Sequence, residues 1–411
     1  MTTPKLRFKE FDGCWVEKII SEIADVRGGK RLPKGYSLQE ENNGFPYITV
    51  TDMENGTVNL EKIRYVPLEA IDQIKRYRIS VDEIYISVAG TLGLVGIIPQ
   101  ELNNANLTEN ADKLTNIKCN QFYLLHYLNN GSLSKLIDSV STIGAQPKLA
   151  LYAIQGMPIF LPSLDEQTKI ASFLSAVDEK INQLTQKHQL LSQYKQGMMQ
   201  KLFSQQLRFK ADDGGEFAKW EDSKLGELTT LITKGTTPSS LGEKYEESGI
   251  NFIKIESLSS NGKFLLDKFA YIDENTHNKL ARSKLEHDDI LFSIAGVLGR
   301  VAIISRDYLP ANTNQALAII RLKDKKITRY IYYFLNSDYV KKIIDAESVQ
   351  LAQANFSLGQ LANLDVLVPC LEEQTKIANF LSAIDQKIEV VAQQIEQAKQ
   401  WKKGLLQQMF I

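Results

Sequence analysis

The chain is written twice, with a period of roughly 206 residues. Leu6-Arg7-Phe8-Lys9 returns as Leu207-Arg208-Phe209-Lys210, and Trp15, Ile20, Glu22 and Ile23 correspond to Trp220, Leu225, Glu227 and Leu228. The alternating run Phe45–Val50 corresponds to Ile250–Ile255. Ile84–Gly90 corresponds to Ile290–Gly296, with Gly93 and Gly299 following at equal spacing. The strongest match is Glu166–Ile181 with Glu373–Ile388, identical at 13 of 16 positions. A duplicated chain of 411 residues is too long for one ordinary core, so it must build at least two similar bodies.

Each copy has two parts of different character. The first part alternates apolar and polar residues over short runs separated by turn formers, which predicts mixed strand and helix. Strands are expected over Tyr47–Thr51, Ile84–Val88 and Leu94–Ile98, with counterparts over Phe252–Glu256, Ile290–Ile294 and Val301–Ile304. A helix near Phe122–Val140 is matched by one near Thr328–Ala346. The second part is a long helix with apolar residues at Ile170, Leu174, Val177, Ile181, Leu184, Leu191, Met198 and Leu202, in steps of four and three. The other copy gives Ile377, Leu381, Ile384, Ile388, Val391, Ile395, Ala398, Leu405 and Met409. That repeat is the coiled-coil signature. Ser163 and Glu166 form a candidate capping box, and Asp165 places negative charge at the positive helix end.

Neither helix can bury its stripe alone, so the two are expected to pack on each other. His188, Lys195 and Lys402 interrupt the seam as half-exposed or register-setting positions. The expected fold is α+β: two similar domains separated by two long helices packed as an antiparallel coiled coil, with pseudo-twofold symmetry. The boundaries are residues 1–163, 164–206, 207–370 and 371–411.

Hydrophobic residues at 43% and charged residues at 24% describe a globular chain, and no run is long and apolar enough to span a membrane. The opening Met-Thr-Thr-Pro-Lys-Leu-Arg-Phe-Lys lacks an apolar signal region, as expected of a cytoplasmic protein. Cys14, Cys119 and Cys370 form no ligand-like cluster, and the four histidines are scattered, so no metal site is indicated. A net charge of −1 means that any basic surface must be local.

Duplication about a twofold axis matches the local symmetry of double-stranded DNA, which twofold proteins read as half-sites about 34–36 Å apart. Beyond this geometric argument the residues resemble a known family. The openings Leu6–Trp15 and Leu207–Trp220, the segment Lys234-Gly-Thr-Thr-Pro-Ser239 and the turn Ser293-Ile-Ala-Gly-Val-Leu-Gly299 are similar to those of type I restriction–modification specificity subunits. So is the helix start Pro-x-x-x-Glu-Gln-x-x-Ile, present twice. The first copy instead reads Arg27-Gly28-Gly29-Lys30-Arg31-Leu32-Pro33 where the second has its Gly-Thr-Thr-Pro run. The resemblance implies two target-recognition domains reading the halves of a bipartite DNA site. It also implies partners: two methyltransferase subunits gripping the helices, and motor-nuclease subunits for restriction. The chain itself would need no cofactor, with S-adenosylmethionine, ATP and Mg²⁺ belonging to those partners.

Base edges are read by Arg or Lys at guanine and Asn or Gln at adenine, while phosphates attract Lys, Arg, Ser and Thr. Candidates in the first copy are Lys30, Arg31, Lys34, Thr51, Thr91, Asn106, Asn110, Gln146 and Lys148. In the second they are Lys234, Thr236, Thr237, Ser257, Arg300, Asn312, Asn314, Gln315, Gln353 and Asn355. Any one of them reads first as an ordinary solvated loop side chain or turn former, and as a set they carry more weight than singly. The run Lys75-Arg76-Tyr77-Arg78 faces either phosphate or plain solvent. Gly90-Thr-Leu-Gly93 and Gly296-Val-Leu-Gly299 lack phosphate-loop spacing and are expected as tight turns. Gly197 and Gly404, late in the two helices, point to close helix approach, a bend or partner docking.

Two other classes compete. A self-sufficient amino-methyltransferase would carry an Asn/Asp-Pro-Pro-aromatic motif, and the chain contains no Pro-Pro pair. A purely structural coiled-coil adaptor would show no salt-dependent DNA affinity. Inserting one helical turn, about 6 Å, into both long helices is expected to change the spacer of the methylated target and leave its two ends intact, as read by methylome sequencing.

Overall fold

The computed structural model describes residues 3–140, 148–259, 261–348 and 355–411. It divides into two compact units, one of residues 1–186 with 392–411 and the other of residues 187–391. The division falls within both long helices, so each unit contains part of each.

The first unit holds two four-stranded sheets. One runs in the order Asp25–Gly28, Ala111–Thr115, Ile84–Ser87 and Val95–Gly96, antiparallel throughout. The other runs Arg64–Tyr65, Pro46–Ile48, Ala105–Leu107 and Arg78–Ile79, with Pro46–Ile48 and Ala105–Leu107 parallel. A ribbon of Val16–Ile19 with Pro158–Leu161 leads into the first long helix, Leu164–Phe203. The second unit repeats this plan. One sheet runs Thr229–Lys234, Leu317–Leu322, Ile290–Ser293 and Val301–Ile303. Another runs Ala270–Ile272, Ile250–Ile253 and Ala311–Thr313, and the ribbon of Glu221–Lys224 with Asp365–Val368 leads into the second long helix, Leu371–Met409. The fully buried runs Ile84–Ser87 and Ile290–Ser293 are mid-sheet strands covered on both faces.

The long helices pack antiparallel, as their matching heptads require. In the first unit Ile170, Leu174 and Val177 from the start of one share a core with Leu405, Leu406 and Met409 from the end of the other. In the second, Met199 and Leu202 share a core with Ile377, Leu381 and Ile384. Met199, not the expected Met198, is the buried methionine, because the apolar stripe of a straight helix drifts against a strict heptad. Lys195 pairs with Asp385 at 2.6 Å, and the equivalent Lys402 pairs with Asp178 at 2.5 Å. These lysines, expected as half-exposed or register-setting, are half-buried partners of the opposite helix.

The duplicated helix starts are explained by one buried cluster per unit. The Arg7 guanidinium donates from Nε and Nη2 to the two Glu166 carboxylate oxygens, both at 2.7 Å, and the Trp15 indole N–H donates to the same carboxylate at 3.3 Å. In the other unit Arg208 bonds Glu373 at 3.1 and 2.7 Å, and Trp220 bonds it at 2.8 Å. Glu166 therefore does not reach back to close a capping box. Ser163 still caps by accepting from the Glu166 N–H at 3.3 Å. The adjacent glutamines secure the turn into the helix, Gln167 donating to the Pro162 carbonyl at 2.9 Å and Gln374 to that of Pro369 at 2.7 Å.

Several expected elements are shorter than their sequence patterns. The strand at Tyr47 ends at Ile48, because the Asp52 carboxylate accepts from the Thr49 N–H at 2.8 Å and turns the chain. The Phe252 strand likewise ends at Ile253, where the Ser257 hydroxyl accepts from Lys254 N–H at 3.1 Å. The expected helix over Phe122–Val140 is broken at Gly131, whose φ of 103° is non-helical. Its counterpart splits into Thr328–Leu335 and Asp338–Ser348. Among the described residues a side chain added at Gly197 or Gly404 would meet nothing within 4 Å, so close helix approach is not the reason for either glycine.

Equivalent positions carry one telling difference. His126 is buried beside Ser175 at 3.3 Å and Asp178 at 3.9 Å, where the other unit has Tyr333 donating to Asp385 at 2.7 Å. Burial pulls the His126 imidazole down to about 4, against the smaller upward pull of Asp178. Its folded value lies below its unfolded value, so the unfolded chain binds the extra proton. Stability is then complete above about pH 6.5 and falls as the pH drops toward 4. His126→Tyr is expected to remove about 2–3 kcal/mol of this pH dependence, measured by chemical denaturation between pH 4 and 7.

Candidate nucleic-acid interface

The sites selected from sequence are built around one short segment in each unit, residues 107–111 and 313–317. The loop following Asp25–Gly28 docks there through the Gly29 N–H to Ala111 at 2.9 Å and the Lys30 N–H to Leu107 at 2.8 Å. The turn containing Thr91 docks through the Val88 N–H to the Asn110 carbonyl at 2.8 Å, and Leu149, next to Lys148, bonds the Val88 carbonyl at 3.0 Å. The Thr108 N–H bonds Ile48 at 3.1 Å, which places the Thr49–Asp52 turn, with exposed Thr51, against the same segment.

The second unit repeats these bonds. Thr236 N–H reaches Thr313 at 3.1 Å, Ile294 N–H reaches Ala316 at 2.8 Å, and Phe356, next to Asn355, reaches Ile294 at 2.9 Å. With the Thr313 hydroxyl donating to the Ile253 carbonyl at 2.8 Å, five stretches far apart in each copy meet at one connecting segment.

Two glycines permit the convergence. A β-carbon at Gly29 would lie 2.0 Å from the Thr108 carbonyl oxygen, and one at Gly235 would lie 2.0 Å from that of Thr313. No side chain fits a backbone approach that close. Gly90, Gly93, Gly296 and Gly299 adopt φ of 77°, 79°, 73° and 77°, which makes both Gly-x-x-Gly segments tight turns between strands, as expected.

Not every candidate is presented at the surface. Asn106 and Asn312 are buried, and their amides donate to the carbonyls of Ile74 at 2.7 Å and Leu280 at 3.1 Å. Ser257 is buried and donates to the Lys268 carbonyl at 2.9 Å. Arg300 is half-buried, its Nη1 turned inward onto the carbonyls of Ile255 and Leu258. These four anchor the loops through bonds to backbone carbonyls. The polar types that suit base readout suit buried loop anchoring equally, which is why the sequence did not separate them. Asn314 is half-buried and caps its own turn through Ala316 N–H at 3.2 Å. Asn110 is half-buried, with its backbone spent on the Val88 bond. Gln146 and Gln353 lie outside the described residues.

The exposed remainder is Lys30, Arg31, Lys34, Thr51, Thr91 and Lys148 in one unit and Lys234, Gln315 and Asn355 in the other, with Thr236 and Thr237 partly exposed. The sequence reading missed Glu109, which accepts from Arg31 Nε at 2.5 Å. Burial raises the Glu109 carboxyl, but the bonds from Arg31, its own backbone and Thr108 outweigh this and hold it below the usual range. Arg282 was missed as well, since no charge run marks it. Its Nη2 donates to the Thr236 hydroxyl at 2.8 Å. The equivalent Arg76 lies over the Tyr77 ring at 5.4 Å, and Lys30 lies over the same ring at 5.8 Å. Beneath the loops, burial raises Asp112 to about 6 against the pull of Lys148. Asn312→Ala is expected to cost about 1–3 kcal/mol by leaving the Leu280 carbonyl unpaired, read as a lowered denaturation midpoint.

Comparison with known proteins accounts for the duplication. The family described as type I restriction modification DNA specificity domain matches residues 13–192 and again 218–400. A putative type I restriction enzyme MjaX specificity subunit of Methanocaldococcus jannaschii is 25% identical over 98% of this chain and 94% of its own. The type I restriction enzyme EcoBI specificity subunit of Escherichia coli is 21% identical over 93% and 82%. Among solved structures, a type I restriction–modification S subunit from M. genitalium is similar over 100% of this chain and 99% of its own, with a TM-score of 0.60 at 17% identity. A chain from a study of complex assembly and conformational transition of the type I R-M system has a TM-score of 0.59 at 16% identity over 98% of both chains. With both copies of its repeat matched by one family model, the chain belongs to the type I restriction–modification DNA specificity family.

Proposed function

We propose that each unit reads one half of a bipartite target on double-stranded DNA, through the loops gathered at residues 107–111 and 313–317. The observation that carries this reading is that one chain builds the same five-segment cluster twice and finishes it with different side chains. A frame held constant under variable tips is what two readers of unlike half-sites require. Arg31, Lys30, Arg76 and Lys148 in one unit and Lys234, Arg282, Thr236 and Gln315 in the other supply the donors that phosphates and base edges accept.

In this reading the long helices set the spacer and dock two methyltransferase subunits, with restriction and motor subunits joining that complex. The chain itself carries out no catalysis. S-adenosylmethionine, ATP and Mg²⁺ belong to the partners. The specificity-subunit names of its relatives support the assignment. The matched helix starts, identical at 13 of 16 positions, suit two copies of one partner.

Replacing residues 1–163 with the corresponding part of another such subunit is expected to change one half of the methylated sequence and preserve the other. Methylome sequencing of the host shows this directly; altered bases in both halves would contradict independent reading.

A further inference from the structure

At one pair of contacting positions in the loop cluster the two units carry different chemistry on matching supports. In the first unit Arg31, on the loop after Gly29, is joined to Glu109, on the central segment. In the second unit the equivalent residues are Thr237, on the loop after Gly235, and Gln315, and the Thr237 hydroxyl donates to the Gln315 side-chain carbonyl. The supports beneath are the same in both: a glycine that admits no side chain, a buried asparagine, and the loop backbone bonded to the central segment.

We propose that the Arg31–Glu109 and Thr237–Gln315 pairs are the equivalent base-reading positions of the two units, Arg31 taking a guanine and Gln315 an adenine. This rests on the DNA reading above.

The geometry supports these roles. The Arg31 side chain is 79% exposed, and among the described residues Glu109 engages its Nε alone. That fixes the direction of the guanidinium and leaves its two terminal nitrogens for the N7 and O6 acceptors of guanine. A long side chain already held by a partner loses less freedom on binding. Gln315 is exposed, and the Thr237 hydroxyl occupies one lone pair of its carbonyl oxygen. The amide N–H and the remaining lone pair then match the N7 and N6–H₂ of adenine. Glu109 and Thr237 are positioning residues, since they act through their partners.

The test is selection from random-sequence duplexes by the full chain at low salt, comparing wild type with single variants. Arg31→Ala is expected to abolish a guanine preference at one position of one half-site, a loss of about 5- to 150-fold against the other bases, with every other position unchanged. Arg31→Lys, which keeps the charge but loses the planar fork, should lose most of that preference too. Glu109→Gln should weaken selectivity at the same position and no other. Gln315→Ala should erase an adenine preference in the opposite half. If Arg31→Ala weakens all sequences alike, or changes nothing, these pairs do not read bases and the proposal is overturned. If the wild-type chain enriches no sequence, the DNA reading itself falls, and the proposal with it.

Discussion

Each long helix begins at a buried carboxylate, and the rest of the unit is arranged around that charge. Glu166 and Glu373 have side chains 2% and 0% exposed, so each must be neutralised where it sits. Arg7 and Arg208 do this with paired bonds, and Trp15 and Trp220 add an indole N–H each. The cluster ties three parts of the chain together: the segment that opens the copy, the tryptophan just before the first ribbon strand and the helix that closes the copy. Removing Arg7 or Arg208 would leave a buried carboxylate without its counter-charge, at a cost of about 3–5 kcal/mol. That penalty explains why the Leu-Arg-Phe openings, the tryptophans and the Glu-Gln helix starts recur together.

A second set of charges orients the helices. Lys195 meets Asp385 and Lys402 meets Asp178, equivalent residues exchanging equivalent partners. These half-buried pairs contribute modestly to stability, about 1 kcal/mol or less each. A shift of register would strand them against apolar neighbours, which gives them a specifying role like that of polar residues in other coiled coils. The same carboxylates face Tyr333 in one unit and His126 in the other, so the two units share a skeleton yet differ in their response to acid.

Skeleton and variation separate in the same way in the loop cluster. Gly29 and Gly235, Asn106 and Asn312, and the backbone bonds around them are held in common. What differs is what projects: a charged pair on one side and a neutral hydroxyl–amide pair on the other. Precise placement of a projecting side chain needs rigid support, and a buried, bonded frame provides it.

The sequence by itself determined the duplication, the α+β class and the two long helices, because these depend on periodicity and on repeated residues that can be read in order. It also singled out the loops that meet at residues 107–111 and 313–317. It did not show where strands end at Ile48 and Ile253, since a side-chain bond from Asp52 or Ser257 competes with a good strand pattern. Nor did it show that Asn106, Asn312, Ser257 and Arg300 turn inward while Glu109 and Arg282 bond to Arg31 and Thr236. Those outcomes were decided by tertiary structure. Whether a polar side chain faces solvent or a buried carbonyl depends on which distant segment is packed against it, and that distance is not written locally in the chain.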